Sequence, residues 1–180
     1  MALSRDLVLS TAIQILDRYG LSDLTMRRLA SELHVAVSAL YWHFPSKQSL
    51  LAALCDEILN QLPAPSPTRQ SELVEWAVQL TQLLLSHPGG TEVVWSTISM
   101  QDWSVGIGQQ LTDALQRLGL SSDTAPAASL GLMNLIFGQA FSIDQQRSVS
   151  RLLPSLKLDR PPVALGLSIA CYLRGLELPR

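Results

Sequence analysis

The chain has few of the residues that build catalytic, metal or disulfide sites. Its 180 residues include three histidines and two cysteines, Cys55 and Cys171, one in each half. Neither cysteine has neighbours at metal-ligand spacing, so we expect reduced thiols on buried helix faces. No nucleophile lies near a base, and no acid pair has a recognisable catalytic spacing. The sequence therefore predicts no enzyme activity, no catalytic residue, no metal site and no cofactor.

Charged residues and long apolar runs are also scarce. Charged residues make up 16% of the chain against 47% hydrophobic residues, which predicts apolar surface in a subunit interface or a ligand cavity. No apolar run approaches the roughly 20 residues that cross a bilayer, and four charged residues interrupt residues 1–20, where a signal peptide would lie. We therefore expect a cytoplasmic protein with no membrane partner.

The charge balance is slightly acidic. The formal net charge is -2, and residues 1–60 hold five cations against six acids. Nucleic-acid binding is usually accompanied by a basic balance. Any affinity for DNA must therefore come from where the charges lie and not from their sum.

Apolar residues recur at helical spacing throughout the chain and no alternating strand pattern occurs, so the predicted fold class is all-α. Ser4, Thr25 and Ser46 stand at N-cap positions of helices, and Gly20 ends the first helix. Residues 63–69 hold three prolines and predict a linker. The predicted domains are a helix-turn-helix head over residues 1–62, this linker, and a helical domain over residues 70–180.

The second half of the chain predicts four further helices. They cover residues 71–87, residues 102–118, a stretch capped by Ser122 or Asp123, and residues 163–176. A short segment is expected at 92–96. Residues 145–160 are basic and contain Pro154, so they are interpreted as a mobile connector with some local helix.

Residues 24–51 have the pattern of a helix-turn-helix. Thr25 starts a helix of about two turns, His34 is expected to end it, and a second short helix covers residues 38–44. Leu40 and Trp42 of this second helix are expected in the core of the head. In such a motif the second helix enters the major groove with its first residues at the base edges.

These residues resemble the tetracycline-repressor family of bacterial transcription factors. The similarity is carried by Thr25, Ala30, the run Leu40-Tyr41-Trp42-His43 and Lys47, and weaker matches continue to residue 167. The resemblance implies a homodimer joined through the last two long helices, bound to a palindromic double-stranded DNA operator in the bacterial nucleoid. It also implies a ligand cavity in each subunit, whose small-molecule effector releases the DNA.

The resemblance also implies which residues contact DNA. Arg27 matches an arginine that binds guanine, whereas Arg28 is either a DNA contact or a solvated surface charge. The start of the second short helix offers side chains that suit thymine methyl groups and form few hydrogen bonds. The predicted DNA-binding set is Thr25, Arg27, Arg28, Val37, Ser38, Ala39, Tyr41, His43 and Lys47.

The effector is expected to differ from a magnesium-chelated tetracycline. Val94 stands where the tetracycline-responsive member has a magnesium-binding histidine, and Trp76 stands at a polar drug contact. These replacements indicate an apolar cavity lined by aromatic residues, although core packing explains the tryptophans equally well. The predicted ligand-binding set is Trp76, Leu80, Val94, Trp95, Thr97, Trp103, Gln110 and Phe137.

Other hypotheses stay open from the residues alone. The chain is alternatively a helical small-molecule-binding protein or enzyme on the same fold, with little or no specific DNA binding. The acidic balance and the apolar start of the second short helix favour this alternative. His87, which precedes Pro88, is expected to hydrogen-bond a turn and not to bind a metal.

Overall fold

The computed structural model describes residues 3–100, 106–152 and 165–176, which form helices joined by turns. No strand occurs in these ranges, which confirms the all-α prediction. The helices are α1 (Arg5–Tyr19), α2 (Met26–Glu32), α3 (Val37–Tyr41), α4 (Lys47–Leu59), α5 (Gln70–Ser86), α6 (Gly90–Ile98), α7 (Gly106–Arg117), α8 (Ala125–Leu152) and α9 (Leu165–Arg174).

The predicted helix caps are present in the first part of the chain. The Ser4 hydroxyl accepts a hydrogen bond from the Leu7 amide at 3.2 Å, and the Thr25 and Ser46 hydroxyls cap α2 and α4 in the same way. Gly20 ends α1 at φ 79°, with its amide donating to the Leu16 carbonyl at 2.8 Å. Each cap satisfies an amide that the helix itself leaves unbonded.

The chain divides into two compact units. The first consists of Met1–Gln61 and Leu83–Met100, and the second of Leu62–Gln82 and Gln101–Arg180. The predicted domain bounds stay a prediction, and residues 83–100 group with the head and not with the rest of the second half. The reason is that α6 packs against α4, and its apolar side chains Val93, Val94 and Ile98 are buried.

Helix α6 is longer than the short segment expected at 92–96. It begins after Gly89, which has φ 80°. A Cβ on Gly89 would lie 3.0 Å from the Leu21 amide nitrogen, so both backbone conformation and space favour glycine there. The Pro88-Gly89 turn thus ends α5 and starts a new helix at once.

The core of the first unit is formed mainly by apolar residues of α1 to α4, most of them leucines. Helix α1 packs against α2 and α4, and α2 packs against α3. These contacts hold the two short helices in place, which neither would maintain alone at such a length. Fully buried core residues are Leu16, Leu24, Leu29, Leu40, Phe44, Leu50, Leu54 and Ile58.

In the second unit, two side chains bond to the linker backbone, and α8 packs between two other helices. The Trp76 indole donates to the Pro63 carbonyl at 2.8 Å, and the Arg117 guanidinium donates to the Pro65 carbonyl at 3.2 Å. Helix α8 packs against α7 and α9. The Tyr172 phenol on α9 donates to the Ala128 carbonyl at 2.9 Å, and burial raises the pKa of this phenol.

Helix α8 differs from the prediction at both ends. It begins at Ala125, after the expected caps, and continues to Leu152 through residues expected to form a connector. The residues between 145 and 152 include no glycine or proline, so nothing stops the helix there. Pro154 and the rest of the predicted connector lie outside the described residues, as do residues 102–105 of the helix expected over 102–118, which α7 otherwise matches.

The two cysteines lie in different environments. Cys55 is buried, and desolvation with the nearby Asp56 charge raises the pKa of its thiol to about 12, despite a hydrogen bond with Thr97. This thiol is neutral and unreactive at physiological pH. Cys171 is exposed on α9, so the expectation of two buried thiols is wrong for Cys171. Its position one turn after the exposed Leu167 explains the exposure.

Candidate nucleic-acid interface

Helix α3 has one face in the core and one face outside. Leu40 and Phe44 are buried at 0% and 1% exposure, as expected for residues four apart on one face. Ser38 is exposed, Val37 and Ala39 are half-buried, and the Tyr41 side chain is 47% exposed. The predicted base-contacting residues therefore start a short helix whose outer side offers one hydroxyl, small apolar groups and a phenol.

Trp42 is 90% exposed, so its predicted place in the core is wrong. The reason is the helical period: Trp42 lies two residues from both Leu40 and Phe44, about 200° around the axis from each. It shares the outer face with Ser38, four residues earlier. The spacing of Leu40 and Phe44 was the available signal, because it already assigned the core face without Trp42.

The turn before α3 is closed by backbone hydrogen bonds. His34 follows α2 with φ 55°, a left-handed conformation that is rare for non-glycine residues. Its amide donates to the Ser31 carbonyl at 3.2 Å, and the Val35 amide donates to the Ala30 carbonyl at 3.0 Å. This pair of bonds is a Schellman motif. It confirms that the helix ends at His34, and it directs the chain into α3.

The two neighbouring arginines of α2 have different surroundings. Arg27 is exposed, and no carboxylate among the described residues lies within 4.0 Å of its guanidinium as an ion-pair partner. The Arg28 guanidinium donates to Asp23 at 2.7 Å and lies 3.7 Å from the centre of the Tyr19 ring. Arg28 is therefore engaged within the head, which favours a structural role for it.

The N-terminus of α4 is ordered by two serines. Ser46 and Ser49 exchange hydrogen bonds between side chain and backbone at 3.0 and 3.1 Å. Lys47 follows directly and is half-buried, as is His43 on the preceding turn. A capped helix start with a lysine in its first turn suits a phosphate group.

The predicted ligand-binding residues fall in both units. Val94, Trp95 and Thr97 lie on α6 of the first unit, and Val94 is fully buried. Leu80 and Phe137 belong to the core of the second unit, whereas Gln110 is exposed on α7. Trp103 lies outside the described residues. The assignment of this set to one cavity stays a prediction.

Two grooves lie within the second unit. One of about 190 Å³ is lined by the linker, Glu72, Glu75 and the predicted ligand residue Trp76. A larger one of about 700 Å³ lies between the α7–α8 turn and the end of α9, and includes Leu120, Tyr172 and none of the predicted ligand residues. In the part of the chain that the structure describes, no group of three His, Cys, Asp or Glu residues is placed to hold a metal ion.

The His87 side chain has a partner outside the turn. Its Nδ1 atom lies 2.6 Å from the Asp17 carboxylate of α1, within the first unit. The His87 carbonyl makes the expected bond within the turn, accepting from the Gly90 amide at 2.8 Å, while the His87 side chain makes a long-range contact that ties the turn before α6 to α1. Sequence spacing gives no signal for it because the two residues are 70 positions apart.

Known proteins match the head and the whole fold. Residues 8–54 match the family described as bacterial regulatory proteins, tetR family. Tetracycline repressor protein class E of Escherichia coli is 38% identical over 96 residues, which cover 51% of this chain and 46% of that protein. The chain spans about half the length of the curated relatives it matches.

Solved structures extend the similarity over nearly the whole chain. Mycobacterium smegmatis BioQ is 31% identical, with a TM-score of 0.83 over 97% of this chain and 98% of its own. BioQ bound to its natural double-stranded DNA operator has a TM-score of 0.79 at the same identity and the same two coverages. Streptomyces coelicolor ActR in complex with (S)-DNPA is 25% identical, with a TM-score of 0.77 over 98% of both chains.

These matches agree with the helix-turn-helix geometry and the all-helical second unit. The similarity to BioQ holds at 31% identity over almost the full length of both chains. The chain therefore belongs to the tetR family of bacterial regulatory proteins, which are DNA-binding transcriptional regulators.

Proposed function

We propose that this protein is a cytoplasmic repressor that binds a palindromic DNA operator as a homodimer and joins the nucleoid when bound. The observation that carries the proposal is the outer surface of the head. There the exposed side of α3, the exposed Arg27 and the capped start of α4 provide both base-contacting and phosphate-contacting groups. The operator complex of BioQ supports this assignment for a relative of the same fold.

Base contacts are assigned to α3 and to Arg27. Arg27 is the best candidate to bind guanine through two parallel hydrogen bonds, because it is exposed and not ion-paired among the described residues. Val37, Ser38 and Ala39 form the first turn of α3, and the methyl groups of Val37 and Ala39 suit thymine. Trp42 adds an exposed apolar ring to the same side.

Phosphate contacts are assigned to the turn between α3 and α4. Tyr41, His43 and Lys47 lie around the α4 start, whose amides point toward the helix N-terminus. Thr25 is exposed beside its cap bond, so its hydroxyl is also available to a phosphate. These contacts set the register of the head on the duplex without selecting a sequence.

Homodimer formation is assigned to α8 and α9. Leu130 and Leu167 are 44% and 58% exposed on these helices, and residues 125–143 carry no charge. Such a surface is typical of an interface between copies of one chain. Two heads must then present their α3 helices about 34 Å apart to bind the two halves of a palindrome.

The effector is proposed to be a small apolar or aromatic molecule bound in the C-terminal domain. The apolar character of Leu80 and Phe137 supports this class of ligand, as does the complex of ActR with (S)-DNPA. A ligand releases DNA only to the extent that it binds the low-affinity arrangement of heads more tightly. Native mass spectrometry of the purified protein would identify a bound molecule, and an all-polar ligand would contradict the proposed class.

Selection of genomic fragments by the purified protein tests the DNA-binding proposal. We expect one palindromic sequence to be enriched. Replacing Arg27 with alanine is expected to weaken operator binding by about 1–3 kcal/mol and to relax the preference at one base pair. Arg18→Ala, at an exposed position of α1, is the matched control.

The selection also separates the proposal from its alternative. Enrichment of no palindrome would favour a protein of this fold without specific DNA binding. If Arg27→Ala weakened binding equally on the operator and on random DNA, the base-contacting role of Arg27 would be wrong while DNA binding itself would stand.

A further inference from the structure

Arg5, in the first turn of α1, lies against the segment that joins α3 to α4. Its guanidinium carbon is 5.0 Å from the centre of the Phe44 ring. Phe44 is 1% exposed, so the ring is fixed in the core, whereas Arg5 itself is exposed. A guanidinium held over a buried ring loses little further freedom when it binds a ligand.

This position brings Arg5 next to the proposed phosphate contacts. Phe44 directly follows His43 and precedes Lys47 by three residues, a distance of at most about 11 Å even for extended chain. Along one DNA strand successive phosphates rise about 3.4 Å. A phosphate near the one bound at Lys47 is therefore within reach of Arg5.

Few cations in the head are available to contact DNA, and Arg5 is one of them. Residues 1–60 hold five cations, and among them Arg28 is paired with Asp23. Arg18 lines a small depression with Glu32 at the other end of α1. Apart from Arg18 and Arg28, the cations of residues 1–60 are Arg5, Arg27 and Lys47. In an acidic protein each of them supplies a large share of the attraction to DNA.

We propose that Arg5 is a phosphate-contacting residue that acts together with Lys47 at the DNA backbone. This inference rests on the proposed function, because it needs a DNA complex. Arg5 then contributes affinity that does not depend on base sequence, whereas Arg27 contributes base preference. The Phe44 ring serves as the platform that orients the Arg5 guanidinium.

The test is the salt dependence of binding to the selected operator and to a random duplex of equal length. Each phosphate contact adds about 0.9 to the slope of log K against log salt. A dimer holds two copies of Arg5, so Arg5→Ala is expected to reduce the slope by about 2 on both duplexes. The loss of affinity should be similar on both and should shrink about tenfold when salt is raised fourfold.

Two further variants make the result specific. Arg18→Ala, about 20 Å away along α1 by the helical rise, is expected to leave the slope unchanged. Arg5→Lys keeps the charge and is expected to keep the slope. Circular dichroism melting of each variant shows that the head is folded at the assay temperature.

An unchanged slope for folded Arg5→Ala would overturn the inference. The same holds if Arg5→Lys lost as much slope as Arg5→Ala, since this would assign Arg5 to packing on Phe44 alone. Both outcomes leave the proposed repressor intact. Failure of the unaltered protein to bind any duplex would instead reject the proposed function itself.

Discussion

Two regions of this protein expose apolar surface, and they differ in the charges around it. On the head, the exposed Tyr41 and Trp42 lie at the end of α3, with Arg27 and Lys47 on the neighbouring helices. On α8, residues 125–143 have no charged side chain, although Leu130 is 44% exposed and Gly138 is also exposed. Aromatic side chains among cations suit DNA, which carries both phosphates and bases. The surface of residues 125–143, called here the uncharged stripe, suits another apolar protein surface.

The absence of charged side chains from residues 125–143 gives α8 the composition of a membrane helix. The segment Ala125–Arg147 is long and apolar enough to cross a bilayer, and 39% of its most apolar window is buried within the protein. A helix at the junction of a core and a subunit interface has the same composition, because both of its faces contact protein. The comparison with the head therefore favours a second copy of the chain as the partner of α8.

The largest effect is expected from a charge placed in the uncharged stripe. Leu130→Glu should weaken the homodimer about a hundredfold or more, because unpaired and like charges at an interface cost several kcal/mol. Sedimentation velocity over a range of concentrations measures the change. Ser122→Glu, at an exposed site just before α8, is the control and should leave the dimer intact. Equal behaviour of the two variants would remove α8 from the interface.

The next effect concerns the packing of α9 against α8, the helix that carries the uncharged stripe. The Tyr172 phenol occupies the place where a Cβ on Gly131 would project. Gly131→Ala should therefore lower the free energy of unfolding by about 1–3 kcal/mol, measured by urea denaturation. In a Tyr172→Phe background the cost should be smaller, since the hydroxyl is gone. If Gly131→Ala lowered the free energy of unfolding equally in both backgrounds, the Tyr172 phenol would move aside without strain.

A smaller effect tests the chemistry of α3. If small apolar side chains at the start of α3 contact thymine methyl groups, replacing one contacted thymine by deoxyuridine should weaken binding about fourfold, from about 0.8 kcal/mol per methyl. Fluorescence anisotropy with singly substituted operators measures this. Thymines outside the half-sites serve as controls. If no deoxyuridine substitution changed the affinity, base selection would depend on hydrogen bonds alone.

The smallest effect is expected at the linker. Glu72 accepts hydrogen bonds from the Thr68 amide and from Arg69, and these bonds lower the pKa of its carboxyl from 4.5 to about 2. A lowered folded-state pKa stabilises the fold above pH 4.5, and this contribution is lost as the pH falls toward 2. Glu72→Gln should therefore be slightly less stable than the parent at pH 7 and equal to it near pH 2. Thermal melts of both proteins between pH 2 and pH 7 measure this difference in stability. If the difference did not change with pH, the assigned role of the Glu72 carboxylate would be wrong.

Much of the head was predictable because its signals are local. The caps at Ser4, Thr25 and Ser46, and the end of a helix at His34, depend on residues within one helical turn of each other. Trp42 was misassigned although the spacing of Leu40 and Phe44 contained the answer. The DNA-binding and ligand-binding assignments remain predictions, because each depends on a partner that binds to the folded surface.

The sequence by itself determined the all-α class and the helix starts of the head, since periodicity and caps act over a few residues. Only the tertiary structure decided that residues 83–100 join the first unit, that Asp17 pairs with His87, and that Arg5 lies over Phe44. These contacts join residues far apart in the chain. They depend on how helices cross, which is set by the packing of many side chains at once and not by any local pattern.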